Sequence, residues 1–132
     1  IQTITQLCKG DLRVGINLLQ SIYLAKGKLA TESVYAFSGL PSPKQSKQLT
    51  NAIIKDKQFT KNNKIIQTMI KNGISLQQIL LTLCDNIKQC NLNEKYKMLL
   101  MEKLGNIENK LNITNDEKPY INELSAIHIL LN

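Results

Sequence analysis

Ser38-Gly39-Leu40-Pro41-Ser42-Pro43 is the stretch that divides this 132-residue chain. Two prolines and a glycine in six residues break any helix running into them. Ser42 then reads as an N-cap and Pro43 as the first residue of a new helix. Downstream the apolar residues recur at steps of three and four, the period of amphipathic helices. A helix is expected over about 43–56, with Leu49, Ile53 and Ile54 inside, and a second over about 60–72 on Ile65, Ile66, Met69 and Ile70, closed by Gly73. Ser75 with Gln78 fits a capping box ahead of a helix at 76–90 on Leu76, Ile79, Leu80, Leu83 and Ile87. Asn93 caps a long helix, 94–112, with Tyr96, Leu100, Leu104, Ile107 and Leu111 as its buried stripe. A polar turn leads to Pro119 and a last helix to about 131, burying Ile121, Leu124, Ile127 and Leu131. Upstream of the break, residues 11–26 place Leu12, Ile16, Leu19 and Tyr23 on one stripe, expected to face inward. Gly27 ends that helix, and Thr31 caps a short one carrying Val34, Tyr35 and Phe37. No strand-like alternation and no fixed repeat is visible. The expected fold is all-α: two short helices, a break, then a bundle of five.

Composition narrows what such a fold does. Aromatics make up 5% of the chain and Trp is absent, so Leu and Ile must build the core. A chain of this length buries roughly two-thirds of its unfolded surface, enough for a helical core without staples. Cys8, Cys84 and Cys90 show no Cys-x-x-Cys spacing and His128 is the only histidine, so no metal site is expected, only reduced thiols. Cys84 and Cys90 are six apart on one helix and face different sides. The first residue is Ile1, no signal peptide opens the chain, and no apolar run approaches the ~18 residues that span a bilayer. The chain reads as a soluble piece of a longer protein with no membrane partner. It contains no phosphate-loop motif and no grouped acid, base or nucleophile. No autonomous active site is expected, and His128, among apolar neighbours, is expected to be partly buried and not a base.

The net charge of +7 is unevenly spread. Residues 1–84 carry eleven Lys/Arg against three acids; residues 85–132 carry six lysines against seven acids. The excess falls mainly on Lys44, Lys47, Lys55, Lys57, Lys61, Lys64 and Lys71. Lys57, Lys61 and Lys64 are the candidate nucleic-acid contacts, through counterion release at phosphates. No aromatic is interleaved for base stacking, so a merely solvated lysine surface is the competing reading.

Lys9-Gly10-Asp11-Leu12-Arg13, followed by Val14-Gly15-Ile16-Asn17-Leu18-Leu19-Gln20-Ser21, is the most distinctive segment. Gly10 permits a tight entry to a helix, and Asp11 caps its positive end. Arg13 follows in the first turn and is the only arginine in the chain. Among so many lysines, a guanidinium points to planar, permanently charged, bidentate binding. An ordinary capped helix with one exposed arginine is the plainer alternative.

Gly10-Asp11-Leu12-Arg13 with Ile16-Asn17 and Leu19-Gln20-Ser21 resembles the sensor-2 segment in the lid of AAA+ clamp-loader ATPases. Gly15 stands where that family usually has alanine. The likeness continues through Glu32-Ser33-Val34-Tyr35, the linker Gly39-Leu40-Pro41-Ser42-Pro43, the turn Ile70 to Ser75, Glu102-Lys103-Leu104-Gly105-Asn106-Ile107-Glu108, and Asp116-Glu117. It covers essentially the whole chain and is most similar to the C-terminal part of a small subunit of replication factor C. The resemblance implies that residues 1–38 end the AAA+ lid, 39–43 form a linker, and 44–132 form a collar bundle of the DNA polymerase III clamp-loader C-terminal type. It further implies a nuclear, pentameric loader that uses ATP to place a sliding clamp on primer–template DNA in replication and repair. Arg13 would approach the γ-phosphate of ATP. ATP and Mg belong to the full-length protein, with no cofactor in this piece, which lacks the phosphate loop and should not hydrolyse ATP.

A collar must also join other replication factor C subunits. Ile79-Leu80-Leu81, Met98-Leu99-Leu100-Met101 and Ile127-His128-Ile129-Leu130-Leu131 are apolar around more than half a helix. Leu81, Met98, Met101, Ile129 and Leu130 are therefore the candidate interface residues. Two rival readings remain. One is the helical oligomerisation region of a related clamp-loader-like AAA+ replication-fork maintenance ATPase, which a β-hairpin or extra helices after residue 43 would favour. The other is a stand-alone helical DNA-binding module, whose recognition helix would present Lys61, Asn62, Asn63 and Lys64 outward.

Overall fold

The structure is a computed structural model that describes residues 2–26 and 31–130; nothing is described of the side chains of Lys26 and Leu130. Within these residues the chain is all-α, as its periodicity predicts. The helices are α1 (Gln2–Cys8), α2 (Leu12–Lys26), α3 (Thr31–Ser38), α4 (Pro43–Asn51), α5 (Phe59–Lys71), α6 (Leu76–Gln89), α7 (Glu94–Leu111), α8 (Lys118–Ser125) and α9 (Ile127–Leu130). Two separate apolar clusters hold them.

The larger cluster is the bundle after the break. Ser42 caps α4 as its sequence predicts: its hydroxyl accepts from the Gln45 N–H, and the Gln45 side-chain oxygen accepts from the Ser42 N–H, closing a capping box with Pro43 in the first turn. α4 packs on α6, α6 on α7, α7 on α8, and α8 on α5. Leu49, Ile66, Met69, Leu76, Ile79, Leu80, Leu83, Ile87, Leu100, Leu104, Ile107 and Leu124 form the buried centre. Tyr96 and Leu111, the ends of the expected α7 stripe, are only partly buried against it. α5 closes at Gly73, whose φ of +90° suits a residue without Cβ. The Gly73 N–H donates to the Ile70 carbonyl and the Ile74 N–H to that of Met69, the paired bonds of a Schellman motif. Ile74 is buried beside them.

Three expectations about helix limits need correction. The helix over 43–56 does not remain α-helical: Ala52–Asp56 form a π-helical turn, ended by Lys57 at φ +51°. The Lys57 N–H donates five residues back to the Ala52 carbonyl, and Ala52 and Ile53 of this turn are both buried. The last helix breaks at Ala126, where the Ser125 hydroxyl donates to the Ile121 carbonyl and competes with the backbone ladder. Ile121, Leu124 and Ile127 are buried as expected, and Leu131 lies outside the described residues. Thr31 is itself helical in α3 and so is not its cap; Gly27 lies outside the described residues.

The smaller cluster is Ile4, Ile22 and Val34, with Leu7, Cys8 and Leu18 around it, drawn from α1, α2 and α3. α1 is not anticipated above, although Ile4, Leu7 and Cys8 keep a helical step. Its presence overturns the expected orientation of α2. α1 and α3 cover the face bearing Leu18 and Ile22, with Gly15 against α1. The stripe expected inside is left outside, with Leu12 75% and Tyr23 66% exposed and Ile16 and Leu19 exposed between them.

Candidate functional site

The entry to α2 is built by a two-residue left-handed turn. Lys9 and Gly10 have φ of +47° and +87°, reversing the chain between α1 and α2. Asp11 caps α2, its carboxylate accepting the Arg13 N–H at 3.0 Å. Arg13 is exposed on this first turn, and no ion pair to it is found among the described residues. The positive end of the helix dipole and a free guanidinium therefore sit together, an arrangement suited to an anion. Beside them a cleft of about 280 Å³ opens between α1 and α2, lined by Ile4, Cys8, Leu12, Gly15, Ile16 and Leu19 among others. It leads onto the open apolar stripe of α2. Gly15 fits closely here: a Cβ on it would stand 2.8 Å from the Cys8 sulfur. Spacing alone gives no hint of that contact, because it depends on α1 folding back.

The candidate interface residues are on the bundle surface to different degrees. Leu81 is 42%, Met98 70% and Ile129 58% exposed, and Leu99 joins them as an exposed apolar residue. Met101 packs against the main core and is half-buried, so it offers less free surface than Leu81, Met98 and Ile129. Of the Leu130 side chain nothing is described.

The three candidate lysines are not brought together as one set. Lys61 and Lys64 line a groove of about 380 Å³ between α4 and α5, with Gln45, Gln48 and Thr68. Lys61 is paired with Asp56. Lys57 sits apart, its ammonium 5.4 Å from the centre of the Tyr96 ring, a cation–π contact. The Tyr96 hydroxyl is buried without a hydrogen-bond partner, and burial raises its pKa.

The recognition-helix reading does not survive the placement of Asn62 and Asn63. Asn62 is fully buried and donates to the Ser125 carbonyl at 3.1 Å. Asn63 donates to the side chains of Asn122 and Ser125. Both amides tie α5 to α8, and the buried Asn62 is closed to base edges. Among the described residues there is no strand, no group of three or more His, Cys, Asp and Glu able to hold a metal, and no helix long and apolar enough to cross a membrane. The thiols of Cys8, Cys84 and Cys90 are free. His128 is partly buried, with its Nδ1 unpartnered.

Comparison with known proteins agrees with this arrangement. A replication factor C small subunit of Sulfurisphaera tokodaii is 26% identical over 130 residues, 96% of this chain and 39% of that protein. Replication factor C subunit 3 of Schizosaccharomyces pombe is 24% identical over 123 residues, 93% of this chain and 36% of its own length. Replication factor C subunit 5 of Homo sapiens is 25% identical over 126 residues, 96% and 37% respectively. The chain thus spans less than two-fifths of the length of each of these relatives. The family described as the replication factor C C-terminal domain matches residues 41–126, which takes in the capped start of α4 and the bundle through Ala126. With most of its length matched and its bundle folded as an all-α unit, this chain belongs to the replication factor C C-terminal domain family.

Proposed function

We propose that this chain is the lid end and collar of a clamp-loader small subunit, which joins other replication factor C subunits and helps place a sliding clamp on primer–template DNA with ATP. The carrying observation is the family match over 41–126 together with relatives, named as replication factor C subunits, that align along nearly the whole chain. In this reading residues 44–132 assemble the ring and residues 1–38 report on nucleotide. In a eukaryotic cell the loader works in the nucleus.

The nucleotide part is supported by the exposed Arg13 at the capped start of α2. Its guanidinium fits a phosphate oxygen pair, being planar and permanently charged. ATP and Mg, held by an ATPase core, would supply the hydrolysis that releases the clamp. Arg13 orients the lid toward the phosphates, and the open face of Leu12, Ile16, Leu19 and Tyr23 offers that core an apolar seat. In the ring, Leu81, Met98 and Ile129 would be covered by neighbouring subunits.

The test is assembly. Mixed with the C-terminal domains of the other subunits and sedimented, this chain should move as a larger species, and Met98→Glu with Ile129→Glu should return it to monomer. Sedimentation as a monomer with every partner present would refute the collar assignment.

A further inference from the structure

We propose that the groove between α4 and α5 binds the phosphodiester backbone of nucleic acid, with Lys61 and Lys64 supplying charge and Gln45 a directed hydrogen bond. Residues 43–71 carry seven lysines and a single acid, Asp56. That acid is paired with Lys61, which weakens its repulsion of an approaching phosphate and also offsets part of the Lys61 charge, so Lys64 is the main uncompensated cation of the groove. Lys64 is exposed and in no ion pair found among the described residues.

The Gln45 amide turns its donor end to the groove. The Gln45 side-chain oxygen is committed to the Ser42 N–H, which fixes the amide and leaves its NH₂ as the available end. The Thr68 hydroxyl already donates to the Lys64 carbonyl, holding that turn of α5 in place. Ile65 and Met69 give the groove an apolar floor on which sugar can rest. A second cavity, about 440 Å³, shares Gln45 and Gln48 and adds Lys44, but Glu32 and Tyr35 also line it, so the phosphate track is confined to the first groove.

The occupant follows from what the groove lacks. No aromatic lines it, so there is no platform for stacking bases. Asn62 and Asn63, the asparagines nearest the lysines, give their amide N–H groups to α8 and do not line the groove. What remains recognises repeated phosphates and not sequence, and its affinity must fall steeply with salt. The observations favour nucleic acid over an isolated phosphate because the lysines and amides are strung along two helices and not gathered about one point.

The probe is a fluorescent 30-base-pair DNA duplex, read by anisotropy against this chain from 50 to 300 mM salt. Each lysine lost should lower the log–log salt slope by about 1. Lys61→Gln with Lys64→Gln should therefore weaken binding about 60-fold at 0.1 M salt, from roughly 0.9 log units per phosphate contact. Lys95→Gln with Lys118→Gln removes the same charge from exposed positions outside the groove and should leave most of the affinity. Lys64→Glu alone, which preserves the Lys61–Asp56 pair, should show the loss with an unchanged melting temperature. Equal weakening by the two double variants would mean that net charge alone is sensed. That result, or no binding by the native chain at 50 mM salt, overturns the proposal.

Discussion

Replacing Gly15 with alanine sets two opposing effects against each other. Glycine inside a helix costs roughly 0.5–1 kcal/mol relative to alanine, so α2 should gain that much from the change. The structure opposes it: the new Cβ would stand 2.8 Å from the Cys8 sulfur, whereas its next contacts, Cys8 Cβ and Ile4 Cγ2, are an ordinary 3.9 Å away. The close atom is the end of the Cys8 side chain, which packs on the Ile4, Ile22 and Val34 cluster, so rotating it clear gives up that packing. Overpacking of this kind costs typically 1–3 kcal/mol. Gly15→Ala should then destabilise α2 by about 0–2.5 kcal/mol in the native background. In a Cys8→Ala background the sulfur is gone and the same substitution should stabilise by roughly 0.5–1 kcal/mol. Amide hydrogen exchange of α2 across the four proteins reads both numbers as local opening free energies. Effects of one sign in both backgrounds, agreeing within about 0.5 kcal/mol, would refute the packing of α1 against α2.

Other perturbations probe the two clusters and the buried polar groups. Leu83→Ala should cost about 2–5 kcal/mol in urea unfolding because Leu83 is fully enclosed in the bundle, whereas Leu12→Ala, on the open face of α2, should change stability by less than about 0.5 kcal/mol. Asn62→Ala should cost about 1–3 kcal/mol by leaving the Ser125 carbonyl unpaired. Asn62→Asp should cost more at neutral pH and recover in part as pH falls, since a buried carboxyl has a raised pKa and its neutral form is the one tolerated. The pKa of Cys84 is raised, first by burial and then by Glu108 and Asp85, against a lowering by Lys88. Its thiol should alkylate more slowly than a free thiol at pH 8. The sign for stability follows: the folded state holds the Cys84 and Tyr96 protons more tightly, so their contribution is complete below the ordinary pKa and is lost as pH rises through the folded one. Thermal melts from pH 7 to 11 check this.

Much of the bundle was legible because local signals and burial agree there. Ser42 with Pro43 and Gln45, and the stripe Leu76-Ile79-Leu80-Leu83-Ile87, state both where a helix starts and which side it hides. α2 was misread because it carries apolar residues on two faces, and periodicity does not say which face a neighbour will cover. The choice belongs to α1 and α3, which bury Ile22 and leave Leu12 and Tyr23 outside. The break at Ala126 has no glycine or proline to announce it; a serine hydroxyl bonded one turn back accompanies it. Asn62 looked like a surface residue in the first turn of a helix, and only its bond to a carbonyl 63 residues away reveals its burial. Within the candidate site, the Asp11 cap and the position of Arg13 were readable from Gly10-Asp11-Leu12-Arg13. The cleft beside them and the Gly15–Cys8 contact were not, since both arise from packing between helices.

The most direct measurement is made in a reconstituted loader whose subunit carries Arg13→Ala within its full-length sequence. Native mass spectrometry should report a complete assembly, because Arg13 belongs to no core cluster, while ATP-dependent delivery of the clamp to primed DNA should fall sharply. Undiminished delivery, or failure of the subunit to enter the assembly, would contradict a guanidinium that reads nucleotide from the start of α2.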